Sequence, residues 1–441
     1  MTQAQNAPNA GDALEAARQH FLAGVQHLQA QRLDDAARCF EAALALAPGR
    51  ASVLSNLGAV RVLQGRPADA LPLLEQATAA EPAQPEGWLQ LGCALEALGR
   101  DAPALAGFER VLALSPDEPE ARLRVARLLN RGQRHAEALA HLQHLLRAQP
   151  GHARGWSQLG QTLQSLDRHA EALPAYERAL ALDATQAWTW TLLGGLLKDL
   201  GRRAEARAAF ERAVANGGDA DYNGYFIAAL DGASAPVRAP GAYVQHLFDG
   251  YAGSFDKHLV QVLNYRSPAM LAERLQRLGR RFRHALDLGC GTGLCGPLIA
   301  PLADRIDGLD LSQGMLDQAT ALGVYTQLAR ADLVDHLRST AQRHDLLLAA
   351  DVYTYLGDLD AVCAGAQRVL EPGGVLCFSV ERADDAVEFE LRDSLRYAHG
   401  EPYLRALAQR HGFEVLAIDR AVLREDQRRP IEGLLVLMQR R

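Results

Sequence analysis

Residues 287–293 read Asp-Leu-Gly-Cys-Gly-Thr-Gly, three alternating glycines directly behind a short apolar run. Glycines at 289, 291 and 293 let the backbone turn sharply, and they leave bare N–H groups facing a ligand where a helical pattern follows. Such a loop is a cradle for a nucleotide cofactor. Asp310 ends the next apolar run. An acid there faces the ligand crevice of an α/β sheet and can accept both hydroxyls of a ribose. Gly291-Thr-Gly293-Leu-Cys-Gly296 also satisfies the dinucleotide pattern G-x-G-x-x-G, with Asp310 about twenty residues further on. Further acids close the following runs at Asp332 and Asp351, the latter beside Tyr353 and Tyr355.

The longer string Asp287-Leu-Gly289-Cys290-Gly291-Thr-Gly293 resembles the first motif of class I S-adenosylmethionine (SAM) methyltransferases. SAM carries an ammonium group and no pyrophosphate. An acid near the loop attracts the first and repels the second. The resemblance implies that Asp287, Gly289, Cys290, Gly291 and Gly293 form the cofactor loop. It implies further that Asp310 grips the ribose with Leu311 and Met315 beside it, and that Asp332 with Leu333 meets the adenine. Asp332 is equally placed to cap the next helix. Asp351 and Tyr353 fall where the sulfonium methyl and its acceptor should meet. The Pro-Pro-Tyr string of nucleic-acid amino methyltransferases is missing there.

A segment from Tyr243 to Pro268, together with Arg396-Tyr-Ala-His399, looks like a family of methyltransferases that carry N-terminal tetratricopeptide repeats. That likeness spans nearly the whole chain. In related small-molecule methyltransferases a Tyr-Ala-x-x-Phe/Tyr-Asp helix lies over the cofactor, which gives Tyr251 and Phe255 the role of a lid. Candidate bases for an acceptor that must lose a proton are Asp351, Tyr353, Tyr397 and His399.

The elements that must position these residues are legible as well. Cut every 34 residues from Ala17, the chain holds Gly24, Gly58, Gly92, Ala126, Gly160 and Gly194 at the eighth place. The twentieth place is always alanine, Ala36 to Ala206. The twenty-fourth is Phe40, Leu74, Phe108, Leu142, Tyr176 and Phe210. This register is similar to the tetratricopeptide repeat, a helical hairpin that buries its apolar face only by stacking. The expected organisation is a disordered N-terminus (1–16), six repeats forming an α-solenoid (17–220), a capping helix and linker (221–241) and an α/β methyltransferase domain (242–441). Short apolar runs alternating with helical stretches predict a Rossmann-like, seven-stranded sheet ending in a β-hairpin.

Composition narrows the classes. Net charge is −7, and from residue 241 onward 23 Arg plus Lys face 27 Asp plus Glu, which argues against a nucleic-acid partner. Six scattered cysteines with no C-x-x-C pair read as free thiols, without a metal site. No run reaches membrane-spanning length and residues 1–12 lack a signal-peptide pattern, so the expected location is the cytoplasm. The expected partners are SAM, an unidentified methyl acceptor, and a protein or peptide in the solenoid groove, whose facing places include Arg127, Asn130, Arg154, Trp188 and Lys198. The competing expectation is a repeat scaffold whose SAM-binding domain is vestigial.

Overall fold

The computed structural model describes residues 10–232, 235–249, 264–426 and 429–441. It divides into two compact units at Leu200/Gly201.

The first unit is a run of helical hairpins. Its helices are α1 (Ala10–Gln29), α2 (Leu33–Leu46), α3 (Ala51–Leu63), α4 (Pro67–Ala80), α5 (Pro85–Ala97), α6 (Asp101–Leu114), α7 (Pro119–Arg131), α8 (His135–Ala148), α9 (Ala153–Ser165), α10 (His169–Leu182) and α11 (Ala187–Asp199). The eighth and twenty-fourth places meet inside each hairpin. A Cβ added to Gly24, Gly92 or Gly160 would sit 2.6 Å from the ring of Phe40, Phe108 or Tyr176. The ring therefore takes the volume that the glycine leaves. The fourth place has its own task, which the sequence did not announce. Trp88, Trp156 and Trp190 donate their indole N–H to the carbonyls of Pro82, Pro150 and Ala184 at 3.1, 2.8 and 2.9 Å, tying each hairpin to the turn before it. Two expectations shift. Helix α1 starts at Ala10, inside the stretch expected to be disordered, and α12 (Arg203–Ala215) groups with the C-terminal unit.

In the second unit α13 (Ala220–Asp231) stacks Phe226 on Phe210 of α12 at 4.8 Å, while its Tyr225 donates to the carbonyl of Leu395 at 2.8 Å. The end of the expected linker is tied down by an isolated antiparallel bridge between Arg238 and Leu356. Val237 accepts from the amides of Gly357 and Asp358, and Ala239 donates to Tyr355. After α14 (Gly241–Asp249) and α15 (Ser267–Arg277) come β1 (Ala285–Leu288), α16 (Gly296–Ile299), β2 (Ile306–Asp310), α17 (Gln313–Ala321), β3 (Gln327–Arg330), α18 (Leu333–Ser339) and β4 (His344–Ala349). A 3₁₀ turn (Tyr353–Tyr355) leads to α19 (Asp360–Val369), β5 (Leu370–Arg382), β6 (Phe389–Leu391), β7 (Tyr397–His399), α20 (Glu401–Arg410), β8 (Phe413–Asp426) and β9 (Arg429–Arg440).

The main sheet runs β3-β2-β1-β4-β5-β9-β8, parallel except where the closing hairpin places β9 antiparallel to β5. The seven expected strands are all there, but among the described residues the sheet has nine. The extra pair, β6 and β7, attaches to the tip of β5 through Glu381 and Arg382. Strand parity sets two cores. Leu286, Leu288, Leu347, Phe378 and Val436 face α18, α19 and α20, whereas Ala285, Leu346, Leu348, Cys377 and Leu435 face α15 and α16. Strand order reverses between β1 and β4, which opens a crevice at the strands' carboxyl ends.

The opposite, amino ends hold a buried imidazole. His344 is fully buried, with neither ring nitrogen hydrogen-bonded among the described residues, and its ring lies 4.2 Å from that of His284. Burial, then the neighbouring His284, lowers its pKa from 6.5 to about 4. Between those values the unfolded chain takes up a proton that the folded chain refuses, so stability falls as pH drops from 6.5 toward 4. His344→Phe should remove about 2–3 kcal/mol of the loss between pH 7.5 and 4.5. Urea melts read by hydrogen exchange of the β4 amides check this; an unchanged acid dependence in the variant would contradict it.

Candidate cofactor and acceptor site

The crevice is a cavity of about 210 Å³. Its floor is the glycine loop. Gly289, Gly291 and Gly293 adopt φ of +66°, +55° and +93°, a region where only glycine is free of Cβ strain. A Cβ on Gly289 would stand 2.7 Å from both methyls of Val352, which also lines the cavity. Gly293 turns its Cα side toward Leu322 and Tyr325, so it packs the loop and does not line the cavity. The helix expected after the loop is α16, one turn long.

Asp310 ends β2 on the cavity wall. Its Oδ2 accepts from Gly291 N–H at 3.0 Å and its Oδ1 from Ser312 N–H at 2.9 Å. The carboxylate is thereby locked to the glycine loop, with lone pairs left on both oxygens. Burial raises its pKa. Ser312, which caps α17, donates its hydroxyl to Asp249 at 2.6 Å. Leu311 and Leu333 line the cavity beside Asp310, together with Cys290 and Asp332. Asp332 does cap α18: its Oδ1 accepts from Val334 and Asp335 at 2.9 and 3.1 Å. Its Oδ2 lies 3.6 Å from the Arg238 guanidinium.

Several expected site residues stand elsewhere. Asp287 lies inside β1, buried behind the loop on the face it shares with Ala285, and accepts the Tyr325 hydroxyl at 2.7 Å. Burial pushes its pKa up to about 7. Met315 is fully buried under α17. Tyr353 follows the turn after β4 into the core and packs its ring 5.0 Å from Phe378. Tyr397 donates to the carbonyl of Pro236 and His399 pairs with the carbonyl of Gly357 at 2.9 Å. None of these five lines the cavity. The lid residues Tyr251 and Phe255 lie outside the described residues.

Asp351 does reach the cavity, but not as a free base. It sits at φ +56°, a strained angle for a side-chain-bearing residue. Ser379, fully buried, accepts from its N–H at 2.8 Å and donates back to its Oδ1 at 2.9 Å. Ser267 donates to the same oxygen at 3.3 Å, and Arg424 holds Oδ2 at 2.7 Å. Arg424 and Arg396 both line the cavity, and neither is among the site residues expected from the sequence. Of the segment Arg396–His399, expected to supply Tyr397 and His399, the arginine is the residue that reaches the cavity.

Comparison with known proteins agrees with this architecture. A methyltransferase-domain family model matches residues 285–374, and tetratricopeptide-repeat models match residues 27–88, 102–161, 60–119 and 151–217. Methyltransferase-like protein 27 of Homo sapiens is 30% identical over 152 residues, 33% of this chain and 60% of that protein. Malonyl-[acyl-carrier protein] O-methyltransferase of Serratia marcescens is 30% identical over 138 residues, 31% and 53% of the two chains. The chain thus spans a little over half the length of these relatives. Among solved structures, MamA from Desulfovibrio magneticus RS-1 is 26% identical with a TM-score of 0.34, covering 38% of this chain and 92% of its own. Repeats precede a methyltransferase domain in one chain.

Proposed function

We propose that this repeat-bearing methyltransferase transfers a methyl group from SAM to a small-molecule or carrier-borne acceptor, with the helical repeats as a partner-binding arm. The observation that carries the reading is Asp310, a carboxylate fastened to the glycine loop and standing on the wall of the cavity. Gly289 and Gly291 present bare backbone to the donor, Asp310 accepts its ribose hydroxyls, and the outer oxygen of Asp332 takes the adenine amino group. When bound, SAM supplies a methyl carbon made electrophilic by the sulfonium.

A pyrophosphate cofactor suits this site poorly. It would gain little from the one-turn helix α16 and would meet the acids of the wall. The chain's own contribution is placement and exclusion of water by a mostly apolar lining. Aligned binding of two reactants contributes roughly 7–11 kcal/mol in favourable cases. Six unpaired thiols support a cytoplasmic location.

The test is methyl-labelled SAM incubated with the full chain and fractionated cell extract. The expected result is label moving to one low-mass or carrier-bound fraction. Label that stays in SAM in every fraction, while SAM still binds, would favour the scaffold reading.

A further inference from the structure

The end of the cavity away from Asp310 is built from ionised groups that have no part in holding a nucleoside. Arg424, 3% exposed, donates one terminal nitrogen to Asp351 at 2.7 Å and the other to Glu381. Its Nε–H has no acceptor among the described residues and is closed off from solvent, so the second hydrogens of its terminal nitrogens are what it can offer the cavity. A guanidinium offers a planar fork of donors suited to a carboxylate, and an unmet donor in the interior is costly. Glu381 is held on its other oxygen by Arg392 at 3.2 Å. Two buried acids are therefore matched by two arginines. Arg396 is a third. It lies against the Tyr355 hydroxyl and makes no direct ion pair among the described residues, although Glu381 and Asp351 act on it from further off and raise its pKa. With Glu390 on Arg392 at 3.1 Å, three acids face three arginines in this cluster, and Arg396 is the guanidinium left without a paired carboxylate.

The same wall offers little to remove a proton. Its three carboxylates are engaged: Asp310 by two backbone amides, Asp332 as a helix cap, Asp351 by Arg424 and two serines. Burial keeps the Cys290 and Cys295 thiols and the Tyr265 hydroxyl protonated. An acceptor that is already an anion needs no base.

We infer that the acceptor carries a carboxylate, seated against Arg424 and Arg396, and that a carboxylate oxygen takes the methyl group as an ester. This rests on the methyltransferase reading for its donor. In the step, an oxygen lone pair forms the new C–O bond and the C–S pair returns to sulfur. The carboxylate and sulfonium charges vanish together, and no proton is released. The two arginines hold and orient the anion.

Hexanoate and 1-hexanol share a tail and differ in the head group, so together they test the inference on the full chain with ¹⁵N-labelled arginine. Hexanoate should shift the Nε–H resonances of Arg424 and Arg396 and bind at least about tenfold tighter than hexanol, as a charge-assisted hydrogen bond implies. Arg424→Gln strips both buried acids of a partner, so Arg396→Gln is the variant of choice; it should cut the preference to about twofold or less. Equal binding of the alcohol, an unchanged preference in the variant, or no shift of either arginine at about 10 mM hexanoate would overturn the inference. S-Adenosylhomocysteine is titrated separately. Its failure to bind would remove the methyltransferase reading, while the head-group comparison still decides this one.

Discussion

Asp310→Asn is expected to weaken SAM binding by on the order of 10²–10⁴-fold. The argument is local. A ribose offers two vicinal hydroxyls, and each hydrogen bond to a charged acceptor contributes about 1.5–3 kcal/mol. The amide keeps one acceptor oxygen and turns an NH₂ toward either Gly291 N–H or Ser312 N–H, which now meet a carboxylate at 3.0 and 2.9 Å. The glycine loop thus loses its tether as the ribose loses its partner. Titration calorimetry on parent and variant measures the change. A Kd within about threefold of the parent, in a variant that melts normally, would show that this carboxylate does not hold the nucleoside.

Gly289→Ala is expected to damage both the fold and the site. The residue sits at φ +66°, where a side chain costs about 1–2 kcal/mol. Its new methyl would lie 2.7 Å from both Val352 methyls, a clash of the kind that costs about 1–3 kcal/mol in packed interiors. Because Gly289 and Val352 both line the cavity, relief by movement displaces its floor. The C-terminal unit should lose about 2–5 kcal/mol of stability, the sum of those two effects, and SAM affinity should fall at least tenfold. Thermal melts with and without SAM give both quantities. Parent-like stability and affinity would mean that the loop tolerates a side chain and that its glycines are not required there.

Much of the architecture was legible because it rests on periodicity. A 34-residue register with alanine always at the twentieth place permits little besides stacked hairpins, and Ala36, Ala70, Ala104, Ala138 and Ala172 are fully buried. The apolar run before Gly289 and the one closed by Asp310 became β1 and β2, and they delivered Gly289 and Asp310 to one crevice. Side-chain direction at the ends of those runs was less legible. Asp287, two residues before Gly289, stays inside β1 and is spent on the Tyr325 hydroxyl. Tyr353, two residues after Asp351, is carried inward by a 3₁₀ turn. Tyr397 and His399 belong to an aromatic cluster with Phe389 and Tyr403. The arginines were hidden for a different reason. Arg424 opens the charged run Arg424-Glu425-Asp426 at the end of β8, which reads as a solvated strand end. Only the three-dimensional convergence of β4, β5 and β8 reveals that Asp351 and Glu381 hold it inside.

The central claim is that the cavity at the carboxyl ends of β1 and β2 holds SAM. Titration of the full chain with SAM, and in parallel with NAD, tests it most directly. Saturable SAM binding at micromolar to millimolar concentration, with no NAD binding in the same range, is the result the site requires. Binding of NAD alone, or of neither ligand, would contradict it.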